Sequence, residues 1–347
     1  LGQVLERQQK LSEAEAAFRE CLALSEKDEG KRNLFRAQAG LVRVLVKQEN
    51  REEGERVARR SLEVARSFFG DEHPEVAECL HALANAISRS KISEAESLCR
   101  QALAIFEKTG SEERPNYAYC SCKLGDLLGG QGKFAEAAAQ LVRVRKLIAE
   151  NHELWDLWDY LPPLLFVTGQ LDAYREQCRQ NVERFGRSAD PLRVEWTAKN
   201  CLILPDSGVD LGVVAQLADT AAAATNHWAT GWFQLGKGLA EYRQGRFASA
   251  VEWANRTLNR PVESAKRSAT LDVEAYMVLA MAQYRLQQTD EARAALAKGV
   301  EIERTKLAKL ESGNLGGGWL EWIIAHALMR EAQALIEGAS TTAADTK

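Results

Sequence analysis

The side chains most suggestive of chemistry are Asp156 and Asp159, interleaved with Trp155 and Trp158 in ELWDLWDY. Paired carboxylates are the usual equipment of general acid–base catalysis. Here no nucleophile and no metal-ligand set accompanies them, so the tryptophans read as packing residues and the aspartates as their polar neighbours. Seven cysteines and five histidines are scattered along the 347 residues. Cys120 and Cys122 stand two apart, which on a helix directs them to different faces and is not zinc spacing. All seven cysteines are therefore read as reduced packing thiols of a cytoplasmic protein. No HExxH occurs. GNLGGGW at 313–319 is rich in glycine, but no strand pattern precedes it and its spacing is not that of a dinucleotide loop. It reads as a flexible link into the last helix. A phosphate loop, an HRD and a DFG are also missing. The chain is read as a non-enzyme with no cofactor and no metal.

Composition narrows the classes further. Nearly half of the residues are hydrophobic, and prolines number only seven. Ala, Leu, Glu and Arg dominate, which favours helix. A net charge of −4 offers no basic face for nucleic acid. No apolar run approaches the roughly 20 residues that cross a bilayer, and no secretory signal opens the sequence. Residue 1 is Leu, so the sequence reads as a piece of something longer or as a processed product.

The elements that must position any site come from repetition. SEAEAAFRECLALSEK at 12–27 and SEAESLCRQALAIFEK at 93–108 share nine of sixteen positions. A small residue, an apolar one four later, another small one three after that and then Leu mark one face of an α-helix. Ala14, Phe18, Cys21 and Leu22 form that face in the first copy, and Ala95, Cys99, Ala102 and Leu103 in the second. Further copies lead with Gly54, Ala137, Tyr174, Ala250 and Ala292, and a degenerate one is expected near Gly212. These leading positions recur with a period of about 40 residues, the length of a helical repeat unit. Upstream of each copy lies a partner helix, as in CKLGDLLGGQGKF and VLAMAQYRLQQ. The pattern predicts a helical solenoid of paired helices.

Leu124-Gly125, Gly132-Lys133-Phe134, Ala137 and Leu141 resemble the hallmark positions of the tetratricopeptide repeat. FFGDEHPEVAECLHALA at 68–84 is similar to the longer kinesin-light-chain type, through Gly70, Asp71, His73, Pro74, Val76, Ala77, Leu80, Leu83 and Ala84. Ser90 stands where that type has its turn glycine. NCLILPDSGVDL at 200–211, WFQLGKGLAEYRQGRFASAVEW at 232–253 and VEAYMVLAMAQYRLQQTDEARAAL at 273–296 resemble the C-terminal repeat regions of large planctomycete-type bacterial serine/threonine protein kinases. The resemblance implies an all-α, right-handed tetratricopeptide-type solenoid of about eight helix-turn-helix repeats with a C-terminal capping helix. It divides into repeats of the kinesin-light-chain kind over 1–186, degenerate and regular repeats over 187–312, a glycine-rich link and cap over 313–338, and a disordered tail over 339–347. Leu320, Ile324, Ala327, Leu328 and Leu335 are expected to face inward from the cap. Leu1 and Gly2 align with Leu124 and Gly125, so the first helix is expected to begin part-way along.

First helices of such repeats line a concave groove. The candidate partner-binding residues there are Arg36, Arg43, Lys47, His81, Asn85, Arg89, Tyr119, Asp126, Glu274, Tyr284 and Arg285. Arg43, Lys47 and Arg89 form a mildly basic stretch suited to acidic residues or a peptide carboxylate. The expected function is a protein–protein interaction scaffold holding a peptide or partner protein. The alternatives are a regulatory or substrate-recruiting arm of a bacterial kinase, whose catalytic domain would lie upstream in the same polypeptide, and a free-standing cargo adaptor of the kinesin-light-chain kind. Neither nucleic acid nor membrane is an expected partner.

Overall fold

The computed structural model describes residues 1–25, 31–150, 160–260 and 268–338. Asp156, Asp159 and their tryptophans lie outside those residues, as does the tail from Ala339. Among the described residues all regular structure is helical. Eight successive pairs run α1 (Gly2–Arg7) with α2 (Leu11–Ser25), α3 (Lys31–Lys47) with α4 (Arg51–Phe69), α5 (Pro74–Ile87) with α6 (Ile92–Lys108), and α7 (Pro115–Gly130) with α8 (Phe134–Glu150). They continue with α9 (Leu161–Val167) and α10 (Leu171–Phe185), α11 (Pro191–Leu202) and α12 (Leu211–Ala222), α13 (Thr230–Arg243) and α14 (Phe247–Leu258), and α15 (Ala269–Arg285) and α16 (Thr289–Lys306). A final helix, α17 (Trp319–Glu337), closes the series.

The repeated phrase is the packing code. Ala14, Ala95, Ala137, Ala250 and Ala292 are wholly buried on second helices, and so is Tyr174, while Gly54 is buried at the same position of its copy. Small side chains at these positions let the helices of a pair approach closely. Phe18 shows what the neighbouring position does. Its ring fills the space over Gly2 of α1 and Gly40 of α3, where an added Cβ would lie only 2.9 Å and 2.4 Å from it. Tyr174 stands where other copies carry Ala or Gly. Its hydroxyl donates to the Asn200 carbonyl at 2.7 Å, so a hydrogen bond replaces close approach there. The expected rung near Gly212 is α12, with Val214, Ala215, Leu217, Ala218 and Ala221 buried.

Turns follow the local chemistry. Gly132 and Gly245 take positive φ between the helices of their pairs, and Gln9, Glu49 and Gln287 take the same conformation at corresponding turns. At the His-Pro turn, the His73 ring accepts the Glu75 N–H at 3.2 Å and stacks on Phe69 at 4.3 Å. Pro74 occupies the first turn of α5, where its missing N–H costs nothing. Val76, Ala77, Leu80, Leu83 and Ala84 are all buried, as the motif requires.

The chain divides into two compact units. Unit 1 comprises Leu1–Leu128 and Ala139–Leu157; unit 2 comprises Gly129–Ala138 and Trp158–Lys347.

Candidate functional site

In unit 1 the first helices α1, α3, α5 and α7 carry most of the candidate residues. Arg43 and Lys47 both turn onto Glu6 of α1, Arg43 through Nη2 at 3.1 Å and Lys47 through Nζ at 2.9 Å. Glu6 is itself buried. Burial works to raise its carboxyl, but the Arg43 and Lys47 charges outweigh it and hold the group below the ordinary value. Arg89 donates to both Glu49 oxygens at 3.1 Å. Lys123 Nζ donates to Asp126 Oδ2 at 3.1 Å. Burial pushes the His81 ring down to about 3, and the Lys123 and Arg43 charges add to the effect. The ring is therefore neutral at physiological pH. Arg36 is exposed, whereas Asn85 and Tyr119 are partly buried.

The expected basic stretch carries acidic partners of its own. Arg43, Lys47 and Arg89 are each paired with a carboxylate, so a peptide carboxylate there meets compensated charge. Glu6 escapes a reading of the sequence in which α1 is only the start of the first rung. Its separation from Arg43 and Lys47, 37 and 41 residues, is the repeat spacing and is the signal that could have found it.

In unit 2 the corresponding residues are differently placed. Glu274, on α15, is 0% exposed. Tyr284 is partly buried and Arg285 exposed, with Arg285 hydrogen-bonded to the Tyr242 side chain. α17 packs most extensively on α15 and also on α16 and α9. Arg243 of α13 reaches it too: both terminal guanidinium nitrogens meet the Glu331 carboxylate, and Nη2 also donates to the Leu202 carbonyl at 3.0 Å. First helices α9, α13 and α15 thus all contact α17, which lies along their common face. Leu320, Ile324 and Leu328 are buried as expected, whereas Ala327 and Leu335 are only partly so.

The glycine-rich segment is held at two points, while Gly316, Gly317 and Gly318 between them are exposed. Leu315 is buried and its N–H donates to the Gly130 carbonyl at 2.6 Å. Trp319 is 1% exposed. Its indole lies where a Cβ on Gly129 would be 2.6 Å away, with Phe134 and Tyr160 rings about it at 6.5 Å and 6.1 Å. Only glycine at 129 leaves that space.

None of the seven cysteines is in a disulfide. Among the described residues no three metal-ligating side chains converge, and no helix is long and apolar enough to cross a membrane.

Four family models described as tetratricopeptide repeat match the chain, at residues 1–28 and 273–306, 36–75, 86–149 and 221–265. Together they span more than half of it. The chain is a tetratricopeptide repeat protein. No curated protein matches the sequence. Among solved structures, the APC/C hetero-tetramer Cut9–Hcn1 is similar over 93% of this chain and 52% of that one, at 12% identity and a TM-score of 0.54. This chain thus spans about half of that protein's length. The apo form of RapI is similar over 74% of this chain and 93% of its own, at 15% identity and a TM-score of 0.51. A putative kinesin light chain from Podosopora anserina, with nearly identical TPR-like repeats, is 17% identical over 79% of this chain and 97% of that one. Its TM-score is 0.29, too low to support any conclusion. The first two overlays bear on the fold alone, and this tetratricopeptide fold supports a protein-interaction scaffold in general.

Proposed function

We propose that this tetratricopeptide protein holds a peptide or partner-protein surface along the first-helix face of unit 1, in the cytoplasm and without chemistry of its own. The observation that carries the reading is the polar character of that face. Arg36, Asn85, Lys123 and Asp126 are at least partly exposed on it, and its cations stand beside their own carboxylates. A face of compensated charges suits a partner of mixed charge, which can exchange hydrogen bonds with both signs. It suits a purely acidic one less, because such a partner must compete with Glu6. Peptide-binding grooves commonly hold their ligands at about micromolar strength, near −8 kcal/mol.

Site-directed photocrosslinking tests the placement. A photoreactive residue replacing Arg36 or Asn85 should capture the partner covalently, whereas one replacing Arg60 or Glu63 on α4 should not. Capture from α4 alone would move the interface to the opposite face.

A second reading is a regulatory arm of a bacterial serine/threonine kinase, and the phrases at 232–253 and 273–296 favour it. The coding sequence upstream of Leu1 separates this from a free-standing adaptor.

A further inference from the structure

Unit 2 buries a charged cluster beneath its terminal helix. Lys199, on α11, is 1% exposed. Its ammonium lies 4.5 Å from the centre of the Trp196 ring and 4.4 Å from that of Trp232, a cation between two aromatic faces. One turn back on α11, Glu195 Oε1 stands 3.5 Å from Nζ. Glu274 faces the cluster from α15, and neither of its carboxylate oxygens has a hydrogen-bond partner. Glu321 adds a third acid from α17. Three acids thus share one lysine where α17 meets the first helices. A buried carboxylate without a hydrogen bond is costly once ionised, and here it would also face two like charges.

We propose that α17 is a pH-gated latch on the first-helix face of unit 2, loosened when the buried Glu195–Lys199–Glu274–Glu321 cluster gains a further negative charge. Burial, with Glu321 and Glu195 adding to it, pushes the Glu274 carboxyl up to about 8 against the pull of Lys199. Burial also raises Glu195. For Lys199 burial opposes the charge, but the three acids outweigh it and hold the ammonium above the ordinary value, so it stays charged. The charged neighbours that bear on Glu274 are Lys199, Glu195 and Glu321; among the described residues α13, α14 and α16 contribute none. On the latch itself, burial holds His326 below 6.5 despite Glu303, so it is neutral from pH 7 upward.

The sign follows from linkage. The docked state keeps a proton on Glu274 that the undocked, hydrated carboxyl releases near its ordinary value. Docking is therefore strongest below that ordinary value. It weakens as pH rises and levels off above about 8. Between pH 7 and pH 9 one such proton weakens docking about tenfold. The inference concerns unit 2 alone and holds whatever partner unit 1 takes.

Hydrogen–deuterium exchange of the full chain, read as protection factors at pH 7, 8 and 9, tests it. Residues 319–337 should lose about tenfold in protection across that range, while α5 changes by less than about threefold. Glu274→Gln should make α17 protection flat with pH. Glu321→Gln, half-buried and safer to fold, should shrink the wild-type fall to about threefold by removing one opposing charge. Equal wild-type protection of α17 at pH 7 and 9 would overturn the latch. So would an undiminished fall in Glu274→Gln or, where that variant does not fold, in Glu321→Gln.

Discussion

In unit 1 a series of charges from neighbouring repeats meets at the surface. Arg19 reaches Glu53, Arg59 reaches Glu94, Lys91 reaches Glu55 and Arg143 reaches Glu107, each pair 34 to 36 residues apart and within 2.9 Å. In unit 2 they meet inside, with Lys199 held between two indoles and Glu274 wholly buried. Both units are written in the same helix-pair code, so the code does not decide where charge goes. A second packing partner does. The ladder of unit 1 stays wet and runs at the pitch of the repeat. In unit 2, Lys199, Glu195 and Glu274 are buried, and a further acid that bears on them, Glu321, stands on α17. The lesson concerns cost. A wet ion pair is weak and tolerant, whereas a buried one is expensive to break.

The largest effect expected from that contrast is at Lys199. Lys199→Met keeps the length of the side chain but strands Glu195 and Glu274 without their cation. It should destabilise unit 2 by about 3–5 kcal/mol, read as a lowered denaturation midpoint and faster exchange in α11 and α15. A variant as stable as the parent would mean that the cluster is not buried as a unit.

Packing in unit 1 should respond less. Ala95 is wholly buried on α6, and Ala95→Leu forces about three extra carbons between the helices of a close pair. The expected loss is about 1–3 kcal/mol. An unchanged midpoint would show that the small position does not set the approach of α6 to its neighbours.

The ladder should respond least. Arg59 pairs with Glu94 and Glu55 at 2.8 Å with all three side chains partly exposed. Arg59→Ala should cost about 0.2–1 kcal/mol. In about 1 M salt the difference should vanish, since screening then acts over roughly 3 Å. A loss as large as that of the Lys199 variant, persisting in salt, would place this pair in the same class as the buried cluster and erase the comparison.

How much of this is legible in the sequence depends on the residue. Phe18, Ala95, Ala250 and the His73-Pro74 turn declare their roles through spacing alone, because one helix face and one capping turn admit few side chains. The rung at α12 follows from arithmetic, because Tyr174 and Ala250 stand two repeats apart where the other leading positions stand one. The basic stretch misleads because a cation's partner lies one repeat away, and a helix-face count along one element does not see it. Glu195 and Lys199 are four apart, as any solvent-facing pair on a helix would be, and nothing local shows that both will be buried. Glu274 falls on the first-helix face of its own pair, but α17 contacts that face. The anchor at Trp319 is hidden for the same reason. A glycine-rich run announces freedom, and only the pairing of Leu315 with Gly130, far upstream in the chain, shows that it is held.

Unit 2 packs its own last described helix, α17, against α15, α16 and α9. Hydroxyl-radical footprinting of the full chain at neutral pH tests this most directly, because two tryptophans of the same unit serve as probe and control. Trp319 is 1% exposed and Trp228 is 69% exposed. Trp228 should be oxidised at least about tenfold faster than Trp319, the rate following the area open to solvent. Comparable oxidation of the two rings would contradict it, since an indole seated against Gly129 cannot be reached while α17 is docked.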